Sequence, residues 1–396
     1  MKEVKHIIEA YEQIDFSARK VVLATVVRVA GSSYRNPGAR MLIMDNGQWV
    51  GSISGGCLEG DAMRKARQVM RSQQPMLVTY DTMDDDHNEL RIGLGCNGVV
   101  DVLLEPVAAP GESHSLDHLR GLLTLSSLGV AALVYHSDDH HIIPGERLLL
   151  LNDEGLNADY CSAALTDIIG EDLPTILTSR QSATRSYPVE GGTLEVLFEV
   201  VEPSIEVLIF GAGADAQPVV NSAKSLGWRV TISDECIAHL APVHFPMADQ
   251  LVSCQRGFVN REITVSPYTA IVLMSHNYDY DLEVLKQIVK SEAPYIGILG
   301  PKKRADKLFA ALEAANINLT EQDLQRIHSP IGLDIGAETA DEISLSILSE
   351  ILAKFAGRSG GFLKYHKGPI HKRQGVDDQV FKQVYLHSED DQQQIG

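Results

Sequence analysis

The chain has 396 residues, with 34 Lys and Arg against 53 Asp and Glu, a formal charge of −19. Hydrophobic residues make up 44% and charged residues 22%, which excludes wholesale disorder and supports a sizeable core in about two or three domains. The acid excess argues against non-specific nucleic-acid binding, which needs clustered Lys and Arg, but leaves room for a local basic pocket.

The five cysteines, Cys57, Cys96, Cys161, Cys236 and Cys254, include no C-x-x-C and form neither a disulfide framework nor a zinc-finger pattern. Charges interrupt the first residues, MKEVKHIIEAYEQIDF, so they do not read as a signal peptide. No apolar run approaches a membrane span. The expectation is a reduced, cytoplasmic, soluble protein.

Residues 2–14 predict an amphipathic helix with Val4, Ile7, Ile8, Tyr11 and Ile14 on one face. VVLATVVRVA (21–30) predicts a buried strand. A Pro37-Gly38 turn follows, then MLIM (41–44) and WVGSI (49–53) flank Asp45-Asn46-Gly47, a hairpin signal. SGGCLEGDAMRKARQVM is a glycine turn opening a helix. DDDHNE (84–89) reads as an acidic loop, and GLGCNGVVDVLLEPV (93–107) as a second glycine turn leading into a strand. Residues 108–120 look like a loose connection. AALVY (131–135), RLLLL (147–151) and LEVLFEVV (194–201) add strands, giving a mixed α+β domain over 1–202. No internal repeat is evident.

After Pro203 strands alternate with helices, which predicts βαβ crossovers and a Rossmann-like, doubly wound parallel sheet over 203–356. The overall class is α/β. The last helix is expected from about 337 to 355, with Gly357 as its stop and a partly disordered tail over 357–396.

IEVLIF-GAGADA places G-x-G-x-x-A after a strand and at the start of a helix, the dinucleotide-fold fingerprint in its context. Gly211 permits the tight turn, Gly213 lets a phosphate approach the backbone, and Ala216 allows close packing. The helix start offers N–H groups to an anion. Asp234 ends the next strand, where an acid takes ribose hydroxyls. Such a loop also occurs empty or with another phosphate.

Gly55 and Gly56 precede Cys57, and Gly93, Gly95 and Gly98 bracket Cys96. A thiol at a helix N-terminus favours thiolate, the form that binds soft metals or carries sulfur. Glu59 and Asp61 oppose that shift. Each cysteine reads equally as a small buried hydrophobe beside a tight turn. Arg35 and Arg40, in the loop with Ser32, Ser33 and Tyr34, suit bidentate phosphate contacts or surface salt bridges. His276 follows the strand AIVLM, where carboxyl ends line a ligand crevice, and suits a ligand contact or a structural hydrogen bond. Lys302, Lys303 and Arg304 open a helix against its dipole, which a bound anion or nearby acids would relieve. PIGLDIGAE (330–338) suggests tight backbone packing, with Asp334 and Glu338 as ligands or caps. No H-E-x-x-H or Walker loop is present.

GSSYRNPGARMLI (31–43), GSISGGCLEGD (51–61), GLGCNG (93–98), VLIFGAGADA (207–216), SHNYDYD (275–281), YIGILGPKKR (295–304) and PIGLDIGAETADEISLSILSEI (330–351) together resemble the XdhC/CoxI family. The resemblance implies an N-terminal domain with the GGCLEG element and a C-terminal Rossmann fold. It implies an accessory chaperone that binds molybdenum cofactor, assists its sulfuration by a cysteine desulfurase and inserts it into an apo hydroxylase of xanthine-dehydrogenase type. Family members often have His where this chain has Ala214, and glycine where it has Asn97, so no role of that His carries over. With the resemblance, Cys57 and Cys96 become candidates for touching the metal or carrying sulfur. Gly211 and Gly213 become candidates for the cofactor phosphate. Asp234 separates the ligands: plain molybdopterin has no ribose, whereas its dinucleotide form and NAD(P) do. The alternatives are an NAD(P)-dependent oxidoreductase and a protein-binding scaffold that docks a hydroxylase. A homodimer is the default expectation.

Overall fold

The structure is a computed structural model and describes residues 1–31, 33–81, 98–112, 114–123, 125–151, 155–157 and 162–367. Contacts divide it into a unit over Glu3–Pro203 and a second unit that starts at Ser204. The turn carrying Cys96, the acidic stretch 84–89 and the tail beyond residue 367 lie outside the described residues.

The first unit opens with α1 (Lys2–Glu12), which buries Val4, Ile7, Ile8 and Tyr11 as its periodicity predicts. Then come β1 (Val21–Gly31), β2 (Arg40–Met44), β3 (Trp49–Gly51), α2 (Glu59–Ser72), β4 (Met76–Asp81) and β5 (Gly98–Val107). They make an antiparallel sheet of order β3-β2-β1-β5-β4 among the described residues. Gly47, at φ 86°, turns the β2–β3 hairpin.

The chain continues through α3 (His114–Leu123), β6 (Gly129–Ser137), β7 (Arg147–Leu151), β8 (Gly155–Asn157), α4 (Ala163–Ile169), α5 (Asp172–Ser179), β9 (Ala183–Val189) and β10 (Gly192–Val201). The loose connection expected over 108–120 therefore contains most of a helix. Its buried Leu116, Leu119 and Leu122 join the apolar face of α1 in one core cluster, so tertiary packing overrides the polar local composition.

The second antiparallel sheet has the order β8-β7-β6-β10-β9, the same connectivity as the first. The structure thus holds an internal repeat that the sequence does not display. Two details establish it. Both long central strands carry an extra residue at the matching place: Val27, between the paired Val26 and Arg28, and Tyr135, between the paired Val134 and His136. Both halves also carry the same turn and ion pair. Arg40 opens β2 opposite Thr25, and Arg147 opens β7 opposite Leu133. Glu105 on β5 faces Leu23, and Glu199 on β10 faces Ala131.

The pairs cross over. Arg40 grips Glu199 through both guanidinium nitrogens, at 3.2 and 2.5 Å. Arg147 grips Glu105 in the same way, at 2.9 and 2.5 Å. Each half supplies the arginine of one pair and the carboxylate of the other, as in a two-fold interface. The turns before the arginines are Pro37-Gly38 and Pro144-Gly145. A Cβ on Gly38 would stand 2.8 Å from Glu199 Oε1, and one on Gly145 would stand 2.9 Å from Glu105 Oε1. Both glycines also have positive φ, so only glycine lets the carboxylate reach its arginine.

The second unit contains β11 (Glu206–Phe210), α6 (Ala216–Ser225), β12 (Arg229–Asp234), β13 (Gln250–Ser253), α7 (Val259–Glu262), β14 (Thr269–Leu273), α8 (Tyr278–Ile288), β15 (Tyr295–Ile298), α9 (Lys302–Ala314), α10 (Glu321–Arg326), β16 (Ile327–His328) and α11 (Ala340–Phe355). Its parallel sheet has the order β13-β12-β11-β14-β15-β16, the doubly wound dinucleotide-fold order. Apolar clusters cover both faces, which is why these strands read as continuous hydrophobic runs. The last helix starts at Ala340 rather than about 337, because Thr339 and Glu342 form a capping box there. No described helix is long and apolar enough to cross a membrane.

Candidate functional site

In the first unit β3 ends at Gly51, and α2 begins at Glu59. The loop between them folds around the Glu59 carboxylate. Oε1 accepts from Ser52 Oγ at 2.7 Å and from the amides of Ile53, Ser54 and Gly55 at 3.1, 2.9 and 3.2 Å. Oε2 accepts from the Gly56 amide at 2.9 Å and from Ser54 Oγ. Burial pushes this carboxyl up, but hydrogen bonds from the Ser54 and Ser52 side chains and the Ser54 amide outweigh it and bring the group down to about 2. Ser54 Oγ also accepts from the Leu58 amide at 2.8 Å.

Cys57 is half-buried, one residue before the helix cap Leu58, with Sγ 3.9 Å from the Ser54 carbonyl oxygen. The helix start beside this thiol thus already holds an anion of its own. The two glycines before it play different parts. Gly55, at φ 87°, lies under the Tyr34 ring, and a Cβ there would stand 2.7 Å from ring carbon Cδ1. At Gly56, φ 126°, a Cβ would meet nothing within 4 Å.

The arginines of the neighbouring loop are engaged with carboxylates. Arg40 is 6% exposed and belongs to the crossed ion pair with Glu199. Arg35 Nη2 pairs with Glu3 Oε2 at 2.5 Å. The Glu199 carboxylate fills the fork that was expected to offer Arg40 to a phosphate.

In the second unit the carboxyl ends of β11, β12 and β14 surround a cleft of about 200 Å³. Ala212, Gly213, Asp234, Glu235, Cys236, His239, Ser275, Asn277 and Tyr280 line it. Gly211 has φ 117°, and a Cβ there would stand 2.4 Å from Ser275 Cα, so the loop closes onto β14 only with glycine. Asp234 Oδ2 accepts from the Ala212 amide at 2.9 Å, and Oδ1 accepts from the Cys236 amide at 2.8 Å. The acid at the end of β12 therefore braces the glycine loop while it lines the cleft. His276 sits in the left-handed region, φ 57°, a conformation that costs about 1–3 kcal/mol. Its Nε2 lies 2.7 Å from Asp215 Oδ2, across the mouth of the glycine loop.

Arg304 donates to buried Asp281 at 2.7 Å, and Asp281 accepts from Ser275 Oγ at 2.5 Å. This relay ties the cation to the cleft wall. Arg304 and Lys303 also line a second, open cleft of about 650 Å³ with Tyr278 and Lys307. Lys302 is exposed and does not line it.

The model of the XdhC and CoxI family matches residues 17–81, and the model of the XdhC Rossmann domain matches residues 207–351. The chain belongs to the XdhC and CoxI family. Among its relatives is a Bacillus subtilis protein described as a probable xanthine dehydrogenase component, 29% identical over 84% of this chain and 92% of the relative. Another is the molybdenum cofactor insertion chaperone PaoD of Escherichia coli, 24% identical over 85% of this chain and 83% of the relative. A crystal structure described as a xanthine dehydrogenase from Bacillus halodurans superposes with a TM-score of 0.70 and 28% identity, covering 93% of this chain and 98% of that one.

The XdhC and CoxI match spans the Cys57 loop, and the XdhC Rossmann match spans the cleft at Gly211. Gly55, Gly56 and Cys57 share one loop; Gly213 and Asp234 line one cleft, Gly211 belongs to the same glycine loop, and His276 pairs with Asp215 at the end of that loop. Cys96 lies outside the described residues. Among the described residues, no group of three or more His, Cys, Asp or Glu could hold a metal ion. Sequence reasoning missed the amide cradle of Glu59, the Asp215–His276 pair and the Ser275–Asp281–Arg304 relay. The available signals were an acid two residues after the cysteine, and acids at 215 and 281 beside loops already under suspicion.

Proposed function

We propose that this family member binds molybdenum cofactor as cargo, assists its sulfuration and hands it to an apo molybdenum hydroxylase of xanthine-dehydrogenase type. The likeness to the PaoD insertion chaperone over 85% of the chain carries this reading. The donor chemistry fits a cargo. The cofactor brings its own dithiolene ligands to the metal, so one half-exposed thiol, Cys57, suffices to meet it. A resident metal would need a fuller ligand set. In this reading Cys57 contacts the metal end or carries sulfur delivered by a cysteine desulfurase, with Cys96 as the second candidate thiol.

In this reading the cleft at Gly211 and Gly213 takes phosphate or nucleotide, with Asp234 on its wall, His276 beside its glycine loop, Arg304 tied to it through Asp281 and Ser275, and Lys303 in the second cleft. A nucleoside there fits the dinucleotide form of the cofactor. It also fits NAD(P), which keeps an oxidoreductase as the second reading. The strand order and Asp234 favour that alternative, but Asp234 already braces two backbone amides. Calorimetry with NAD(H) and NADP(H) decides: saturable binding weakened by Asp234→Ala supports it, and silence removes it.

The cargo reading is tested by mass spectrometry of the ligand that copurifies from a molybdenum-replete host. We expect near-stoichiometric molybdenum cofactor, retained less well by Cys57→Ala. Absence of the cofactor overturns the reading. Retention and sulfur transfer unchanged in Cys57→Ala would remove that thiol from the mechanism. Dimerisation is expected from the prevalence of closed two-fold assemblies and is checked by sedimentation.

A further inference from the structure

The Cys57 loop has a closed inner face and an open outer one. On the inner face the amides of Ile53, Ser54, Gly55 and Gly56 converge on a single carboxylate. Successive amides aimed at one point form the kind of cradle that binds phosphate in other proteins. Here the anion is built into the chain: Glu59 is only 6% exposed and takes two serine hydroxyls as well. An incoming phosphate would have to displace it and strand a buried charge.

The outer face is the reverse. The Tyr34 ring stands over the Gly55 backbone, yet the residue is 72% exposed. Beside it the backbone at Gly56 is bare, since a Cβ there would meet nothing within 4 Å. Cys57 is the next residue. An exposed aromatic seated on backbone, next to uncovered glycine, suits a flat heterocycle, which gains by stacking and needs no charge partner.

The geometry points to Tyr34 and Gly56, beside the Cys57 thiol, as a platform for the uncharged pterin end of the cargo, with Glu59 as the positioning residue that keeps the phosphate end out of the amide cradle. The inference rests on the reading of the cargo as molybdenum cofactor and adds its orientation at the cysteine. Gly56 has to stay bare for the ring to approach. The Tyr34 phenol hydroxyl is not required.

The test uses the full chain and 6-hydroxymethylpterin, a pterin without phosphate, followed by its own fluorescence. The unsubstituted protein should bind and quench it. Tyr34→Ala should weaken binding about tenfold, whereas Tyr34→Phe should retain it. Inorganic phosphate should leave pterin binding unchanged. Glu59→Ala empties the cradle, so phosphate should raise its melting temperature more than it raises that of the unsubstituted protein. The orientation is overturned if the unsubstituted protein binds no pterin, if Tyr34→Ala binds it as tightly, or if phosphate displaces it. Lack of extra phosphate stabilisation in Glu59→Ala overturns the role given to Glu59. Retention of intact molybdenum cofactor is scored separately. A protein that keeps the cofactor but fails the Tyr34 comparison loses the orientation and not the cargo.

Discussion

The two halves of the first unit share a frame and differ in what is built on it. β1–β5 and β6–β10 have one strand order, one bulge position and one Pro-Gly-x-Arg turn, and each half clasps the other through an Arg–Glu pair. They part where the third strand hands over to a helix. In the first half, Glu59 at the start of α2 reaches back and gathers the loop that carries Cys57. In the second half, α4 starts with an ordinary cap, in which Ser162 Oγ accepts from the Leu165 amide at 3.3 Å. Among the described residues the cradle, the bare glycine and the exposed tyrosine stand in the first half, where the proposed cargo contact sits; the matching stretch of the second half, 158–161, lies outside the described residues.

The comparison breaks hardest at the crossed ion pairs. Removing one partner of a buried pair leaves an uncompensated charge and costs about 3–5 kcal/mol. The Arg147 and Glu105 side chains are 5% and 6% exposed, whereas those of Arg40 and Glu199 are 8% and 21% exposed. Glu105→Gln should therefore sit at the top of that range and Glu199→Gln below it, as read from urea unfolding. Equal losses would mean that the two halves are energetically, as well as topologically, equivalent.

A pH effect follows from the same frame. Burial first, and then the Arg147 and Arg40 guanidiniums, hold His118 down to about 3, against an ordinary 6.5. The folded value is the lower one, so the contribution to stability is complete above pH 6.5. As pH falls below 6.5, the unfolded chain takes up a proton that the folded chain refuses. Stability then drops by about 1.4 kcal/mol per pH unit until pH approaches 3. At pH 5 the loss from this group is about 2 kcal/mol. His118→Leu should show a smaller loss between pH 7 and pH 5, and equal losses in both proteins would show that His118 is not held neutral.

Much of the second unit was legible in the sequence because its signals are local. The G-x-G-x-x-A turn, the acid at Asp234 and the strand–helix alternation each occupy a few consecutive residues, and the parallel sheet, buried on both faces, writes itself as apolar runs. The repeat in the first unit was not legible. Its strands need only apolar alternation, which many residues satisfy, so little beyond Pro-Gly-x-Arg survives in both halves. Arg40 and Glu199 are 159 residues apart, and nothing in the sequence tells Arg40 that its fork is filled. Glu59 was visible, but only part of its role was. Read as a charge beside a thiol, it appeared only to oppose thiolate formation. It also gathers four backbone amides, which carry no sequence signature.

The smallest expected effect tests whether the two helix starts are as different as they look. Ser162→Ala removes one side-chain acceptor from one amide at the start of α4 and should cost about 1 kcal/mol. The comparable change in the first half, Glu59→Gln, keeps the shape but removes the charge that gathers four amides and two hydroxyls. Charge-assisted hydrogen bonds contribute about 1.5–3 kcal/mol each, so even partial loss should exceed the Ser162 effect. The two changes should differ in kind as well. Only Glu59→Gln should alter the rate at which an alkylating reagent modifies Cys57, because only that carboxylate holds the cysteine loop in place. If Ser162→Ala changes that rate equally, the halves are coupled through the frame, and the cradle is not the private device of the first half.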